Sequence, residues 1–119
     1  MVLNAYNDEM KRTAYQKKAV SPLPASEVLE IAIAFFKEKG YRSAKTGRPN
    51  QIFVMGGPEG GIPRVTGEVS ARADVGKPGT TLVTLDGFGE NLGPAMEAFN
   101  IHLRALSKAR RAERAAMKE

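Results

Sequence analysis

Residues 64–74, RVTGEVSARAD, decide the fold because apolar or small residues alternate with polar ones along the whole stretch. The first set consists of Val65, Gly67, Val69, Ala71 and Ala73. The second set consists of Arg64, Thr66, Glu68, Ser70, Arg72 and Asp74. Successive strand residues point to opposite faces of a sheet, so this pattern predicts a half-buried strand with one face in water. A sheet that is covered on one side only is typically antiparallel.

Other segments supply partners for this strand. Residues 51–55 and 80–85 are rich in β-branched and aromatic side chains, which favours strands. Residues 41–45 predict a further strand that forms a hairpin with residues 51–55, because the sequence between them, TGRPN, is typical of a turn. Residues 12–20 predict a weaker strand, since two adjacent lysines blur its alternation.

Residues 24–39 predict a deeply buried helix. Pro24 suits a first helical turn, where its missing N–H has no partner to lose. The apolar side chains cover more than half of the helix circumference, and they are Val28, Leu29, Ile31, Ala32, Ile33, Phe35 and Phe36. Gly40 can adopt the left-handed conformation that ends a helix.

A second helix is predicted over residues 93–115. Pro94 fits its first turn, and the apolar seam consists of Leu92, Met96, Phe99, Leu103 and Leu106. After Leu106 the seam gives way to alanines among charged residues. Alanine and arginine are strong helix formers, so we expect the helix to continue with little left to bury.

These elements predict an α+β fold with an antiparallel sheet of three to five strands. Both helices pack on one face, in the order (β)-α-β-β-β-β-α, and their large side chains fill the space above the small residues of the strand at 64–74. We expect a flexible arm over residues 1–10, a single domain over 11–106 and a basic helical extension over 107–119. Several small folds share this order and host unrelated functions, and no motif assigns the chain to one family.

Composition narrows the possible functions. The chain has 119 residues, 42% of them hydrophobic, which suffices for a core without metals or disulfides. It has no cysteine, which excludes disulfides, thiolate metal sites and cysteine nucleophiles. The first residues lack both a basic start and a sustained apolar run, and no stretch is apolar enough to cross a membrane, so we expect a cytoplasmic protein.

Few residues in the sequence are candidates for catalysis or for binding a cofactor or metal. His102 is the single histidine, and the predicted helix places it at the surface beside the apolar seam. Glu68 and Asp86 lie in different strands and meet only if those strands pair. The glycine-rich segment 87–93 has three residues between its second and third glycines, where a dinucleotide fingerprint has two, and segment 56–63 reads as a mobile connection. We therefore predict no catalytic residue, no cofactor and no metal site.

Positive charge is concentrated at the C-terminal end. Residues 104–119 contain six basic and two acidic residues, which accounts for +4 of the formal net charge of +5. The remaining 103 residues contain 12 basic and 11 acidic residues and are nearly neutral. Such a helix end can be merely solvated, since cations near a helix C-terminus are favourable. It can also bind an acidic protein surface, nucleic-acid phosphates or, less readily, an anionic membrane, because Met117 is its only large apolar residue.

The leading hypothesis is a small non-catalytic accessory or binding subunit that docks onto a larger, acidic protein through its polar sheet face and basic C-terminal helix. The candidate partner-binding residues are Arg104, Lys108, Arg111, Arg114, Arg64 and Arg72. One alternative is a nucleic-acid-binding module that uses the same helix, although the polar face of the strand at 64–74 has no aromatic residue for base stacking. Another, from a different class, is a small-molecule-binding protein with a pocket between sheet and helices.

Overall fold

A computed structural model describes residues 8–117 as an antiparallel sheet and three helices. In chain order the elements are α1 (residues 8–12), β1 (Ala14–Ser21), α2 (Ala25–Glu38), β2 (Arg42–Lys45), β3 (Gln51–Met55), β4 (Thr66–Arg72), β5 (Thr81–Phe88) and α3 (Leu92–Met117). The predicted α+β class, element order and antiparallel sheet are confirmed.

All five strands belong to one sheet in the order β1-β5-β4-β3-β2, and every neighbouring pair is antiparallel. Strands β2 to β5 follow one another as a meander. The first strand instead pairs with the last, with Ala14 opposite Phe88 and Ser21 opposite Thr81. Both β1 and β2 are therefore edge strands.

The two long helices cover one face of the sheet. Helix α2 packs on β2, β3 and β4, while α3 packs on β1 and β5. The helices meet through aromatic rings, with the Phe35 ring centroid 5.4 Å from that of Phe99 and the Phe36 centroid 5.5 Å from it. Phe36, Phe99 and Met96 are fully buried. Their side chains fill the space between helices and sheet, as the small residues of β4 predict.

Two glycines bring α3 close to the sheet. Gly67 of β4 lies directly opposite Gly87 of β5, and the Met96 side chain rests on both. A Cβ atom at Gly67 would lie 2.5 Å from Met96 Cε, and one at Gly87 would lie 2.9 Å from Met96 Sδ. Glycine is needed here because a methyl group would overlap the helix side chain.

Strand boundaries differ from the predicted ones by a few residues. The strand predicted over 64–74 ends at Arg72, and Ala73 is exposed rather than directed into the core. The physical reason is a turn, because Asp74 has a φ of 58° and accepts a hydrogen bond from the N–H of Gly79. The last strand continues past the predicted Leu85 to Phe88.

Helix α3 continues without a break past the predicted domain boundary at residue 106. Ser107 is buried, whereas residues from Arg111 to Met117 are exposed. Residues 8–10 of the predicted N-terminal arm belong to α1, and the rest of that arm lies outside the described residues. Within residues 8–117, no helix combines the length and the apolar character needed to cross a membrane.

Candidate functional site

A groove of about 690 Å³ runs between α3 and the edge strand β1. Two side-chain hydrogen bonds tie its walls together. The Tyr15 hydroxyl donates to the Glu97 carboxylate, and further along the Oγ atoms of Ser21 and Ser107 lie 2.8 Å apart. Burial, together with the Glu97 carboxylate, raises the pKa of Tyr15, so the phenol remains a donor at neutral pH. These two hydrogen bonds hold β1 and α3 side by side, with both chain segments running in the same direction.

Five cationic side chains line this groove. They are Lys17 and Lys18 from β1 and Arg104, Lys108 and Arg111 from α3. Lys17 lies opposite the buried Leu85 and is on the helix side of the sheet, whereas Lys18 lies opposite Thr84 and points to the uncovered face at the strand edge. The α3 residues follow one another at steps of four and three, which places them on one face of the helix. No acidic residue lines the groove, and none of the five cations pairs with an acid within residues 8–117. The groove is therefore strongly electropositive.

Exposed apolar side chains accompany the cations. Val20 and Ile101 both line the groove, with 59% and 57% of their surfaces exposed. In the described part of the chain, Met117 is the one other large hydrophobic residue that is exposed to this extent. Exposed apolar side chains beside a charged patch are typical of a protein–protein contact surface.

A buried amide lies in the wall of the groove. Asn100 of α3 lines it and is fully buried, one turn before Arg104. Neither its Nδ2 nor its Oδ1 has a hydrogen-bond partner among the described residues. An unpaired buried polar group costs about 1–3 kcal/mol, and such groups are rare in native proteins. A side chain that lowers stability in this way is a candidate ligand-binding residue.

The second basic row of α3 faces the protein body instead. Arg110 forms an ion pair with Glu27 of α2, with Nη2 and Oε1 2.8 Å apart. This hydrogen bond from Arg110 lowers the pKa of Glu27 below its ordinary value. Arg114 donates from Nη2 to the carbonyl oxygen of Pro22, 3.0 Å away. Of the four candidates on this helix, Arg114 is thus the one turned away from the groove.

Arg64 and Arg72 lie apart from this basic groove. Arg72 is exposed on β4, opposite Leu82 and adjacent to the inward-facing Ala71, so it lies on the sheet face that carries no helix. Arg64 is also exposed, with Nη1 3.4 Å from the sulfur of Met55. The structure therefore separates the predicted site residues into two surfaces.

The uncovered sheet face carries a pair of carboxylates. Glu68 and Asp86 lie directly opposite each other on β4 and β5. Glu68 accepts a hydrogen bond from Gln51, and Asp86 accepts one from Gln16 at 3.4 Å. Both carboxylates lie at an open surface between amide side chains, which is an arrangement suited to solvated residues.

The remaining sequence candidates have structural roles. His102 is exposed and stacks on Phe35, with 5.5 Å between ring centroids. In the glycine-rich segment before α3, the Asn91 N–H donates a hydrogen bond to the Glu59 carboxylate at 2.7 Å. Within residues 8–117, no group of three or more potential metal-ligating side chains lies together.

The β1 side of the groove and the buried amide in its wall were not predicted from the sequence. Lys17 and Lys18 disturb the alternation of the predicted strand, yet both residues line the groove, and Lys17 lies on the same side of the sheet as the cations of α3. Asn100 was also missed, although its position four residues after Met96 and seven before Ser107 places it on the buried stripe of the helix. A polar residue on a buried stripe is the signal that would have found it.

No protein-family model matches this sequence, and a comparison with curated proteins found no significant match.

Proposed function

We propose that this protein is a small non-catalytic accessory or binding subunit that docks onto an acidic surface of a larger protein. The docking surface is the basic groove between α3 and β1. The observation that supports it best is the set of five cations that line the groove without an acidic partner in the described chain. Uncompensated like charges repel one another, and an acidic partner removes that repulsion.

The difference in ion pairing between the two faces of α3 favours a binding surface over a basic helix end that is only solvated. On the body side of the same helix, Arg110 pairs with Glu27 and Arg114 bonds to a main-chain carbonyl. On the groove side, Arg104, Lys108 and Arg111 have no such partners among residues 8–117. One face of α3 thus holds the fold together, and the other is available to a partner.

A protein partner fits the groove better than nucleic acid does. Proteins that bind single strands stack bases on aromatic side chains, and no aromatic residue lines this groove. The exposed Val20 and Ile101 instead offer contacts for apolar side chains of a protein. A nucleic-acid-binding module remains the alternative that the experiment below must separate, because cations alone also bind phosphates.

The proposed non-catalytic role rests on where the titratable groups lie. The single histidine stacks on Phe35 at the surface, and the Glu68–Asp86 pair lies on the uncovered sheet face. The space between sheet and helices is filled by Phe36, Phe99 and Met96, which argues against a small-molecule pocket there. The absence of cysteine fits a reducing compartment, and we propose a cytoplasmic location.

Binding to acidic probes tests this function. The probes are a short poly-L-glutamate peptide and a single-stranded oligonucleotide that carries the same number of charges. We expect the peptide to bind more tightly, with affinity falling as salt is raised from about 50 to 200 mM. Tighter binding of the oligonucleotide would favour the nucleic-acid alternative, and binding of neither probe would contradict the proposal.

Matched charge reversals then locate the surface. The groove variant carries Arg104→Glu, Lys108→Glu and Arg111→Glu, and the control carries Arg42→Glu, Arg64→Glu and Arg72→Glu. Both variants change the net charge equally. Exposed ion pairs contribute modestly one by one, and together we expect the groove variant to lose about tenfold or more in affinity. The control should bind like the unmodified protein; an equal loss would show that the sheet face takes part.

A further inference from the structure

One wall of the groove is strand β1, an edge strand of the sheet that exposes main-chain N–H and C=O groups. Strand β1 pairs with β5 on one side only. In an antiparallel ladder, successive residues direct their N–H and C=O groups alternately to the two sides. Every second residue of β1 therefore presents both groups at the sheet edge. No described side chain bonds to the main chain of residues 14–20, so these edge groups are available to another strand.

Charge at this edge selects the kind of strand that can pair there. Lys17 lies in the middle of β1 on the helix side of the sheet, near Arg104 and Lys108 of α3, and its neighbour Lys18 points to the uncovered face at the same edge. Pairing β1 with the β1 of a second copy around a twofold axis would bring these cations together, which is unfavourable. The same cations attract a strand with acidic side chains. The edge is thus closed to self-association and open to an acidic partner.

The spacing of the cations matches an extended chain. From Tyr15 to Ser21 the strand rises about 20 Å. Over the matching stretch from Glu97 to Ser107 the helix rises about 15 Å, so the two elements diverge little. Arg104 and Lys108 are separated by about 6 Å along the helix axis, and alternate residues of a strand by about 6.6 Å. Acidic residues at every second position of an added strand therefore match the step from Arg104 to Lys108, and the flexible side chains span the shorter step of about 4.5 Å from Lys108 to Arg111.

Asn100 favours a peptide over a phosphate group. Its side-chain amide has donors on Nδ2 and an acceptor in Oδ1, and both atoms lack partners in the described chain. A peptide group supplies a carbonyl acceptor and an N–H donor together, whereas an ionised phosphate supplies acceptors alone. The hydrogen bonds that join Tyr15 and Ser21 to α3 place Lys17 and Ala19 opposite Asn100.

We propose that an extended acidic segment of the partner protein adds to the sheet as a sixth strand, paired with β1 and lying below the basic face of α3. Alternate side chains of that segment point toward Arg104, Lys108 and Arg111 and are acidic. The main chain supplies part of the affinity, as in other cases of strand addition. This inference rests on the proposed function and specifies how the partner is held.

Backbone methylation of an acidic peptide tests strand addition with the full chain. The parent peptide alternates glutamate and valine, and two derivatives carry N-methyl groups on every glutamate or on every valine. In a strand, all the N–H groups of one set point to the same edge. Methylation of one set therefore removes the hydrogen bonds to β1, and methylation of the other set leaves them intact. Charge and side chains are the same in all three peptides.

We expect one methylated peptide to bind about tenfold or more weakly than the parent, because several hydrogen bonds are lost, and the other to bind like the parent. Amide hydrogen exchange measured by NMR should show new protection at alternate residues of β1 on binding. Equal affinities for all three peptides, or equal losses for both derivatives, would overturn strand addition and leave the proposed function standing. Failure of the parent peptide to bind at all would contradict the proposed function itself.

Discussion

Replacement of Asn100 by leucine should make the free protein more stable and its binding weaker. Asn100 is fully buried and both polar atoms of its amide lack partners in the described chain. Leucine has the same branched arrangement of side-chain heavy atoms, with larger methyl groups in place of the amide oxygen and nitrogen, and needs no hydrogen bond. Removing an unpaired buried amide recovers about 1–3 kcal/mol. With a urea dependence of about 1–3 kcal/mol per molar, a gain of about 2 kcal/mol raises the unfolding midpoint by roughly 1 M.

Ser107→Ala provides the matched control, because Ser107 lies two helical turns further along the same buried face of α3. Ser107 is also buried, but its hydroxyl lies 2.8 Å from that of Ser21. Loss of this hydrogen bond should lower the free energy of unfolding by about 1 kcal/mol. The two substitutions remove one buried polar group each, and the structure predicts opposite signs for their effects on stability.

Urea unfolding followed by far-ultraviolet circular dichroism measures both effects, since the chain has no tryptophan to report by fluorescence. A midpoint for Asn100→Leu that falls as far as that of Ser107→Ala would refute the reasoning, because the amide would then be hydrogen-bonded in the folded protein. Binding of the glutamate–valine peptide to Asn100→Leu should be several-fold weaker despite the greater stability. Such a trade between stability and binding is common at functional positions.

Three further substitutions test the packing and the ion pairs. Gly87→Ala brings a Cβ atom to 2.9 Å from Met96 Sδ and should destabilise the fold by about 1–3 kcal/mol in urea unfolding, whereas Gly47→Ala, with no atom within 4 Å of the new Cβ and no positive φ, should not. The hydrogen bond from Arg110 lowers the pKa of Glu27, so its contribution to stability is present above the ordinary value of 4.5 and is lost as the pH falls through the lower, folded value. Glu27→Gln should therefore lower the urea midpoint at neutral pH and have a vanishing effect in acid. Burial raises the pKa of Tyr15, so Tyr15→Phe should remove a phenol that ionises above the ordinary value of 10 in a spectrophotometric titration.

The helices and strands were predictable because their signals are local. The alternation in residues 64–74 and the apolar stripe of residues 24–39 correspond to β4 and α2 within a few residues. The basic row of Arg104, Lys108 and Arg111 was also predictable, because a helix of known register determines which side chains share a face. Periodicity and residue type carry this information in the order of the chain.

The tertiary structure decided what stands opposite that row. Lys17 and Lys18 lie far from α3 in sequence and reach the groove only because the first strand pairs with the last. The same topology leaves β1 at an edge, directs Arg72 to the other face of the sheet, and buries Asn100 without a partner among residues 8–117. Strand order depends on contacts between residues that are distant in the chain, and local propensity is insensitive to them. The sequence alone therefore determined the elements and the sign of the charge, while the fold decided that the charge lines a groove beside an edge strand.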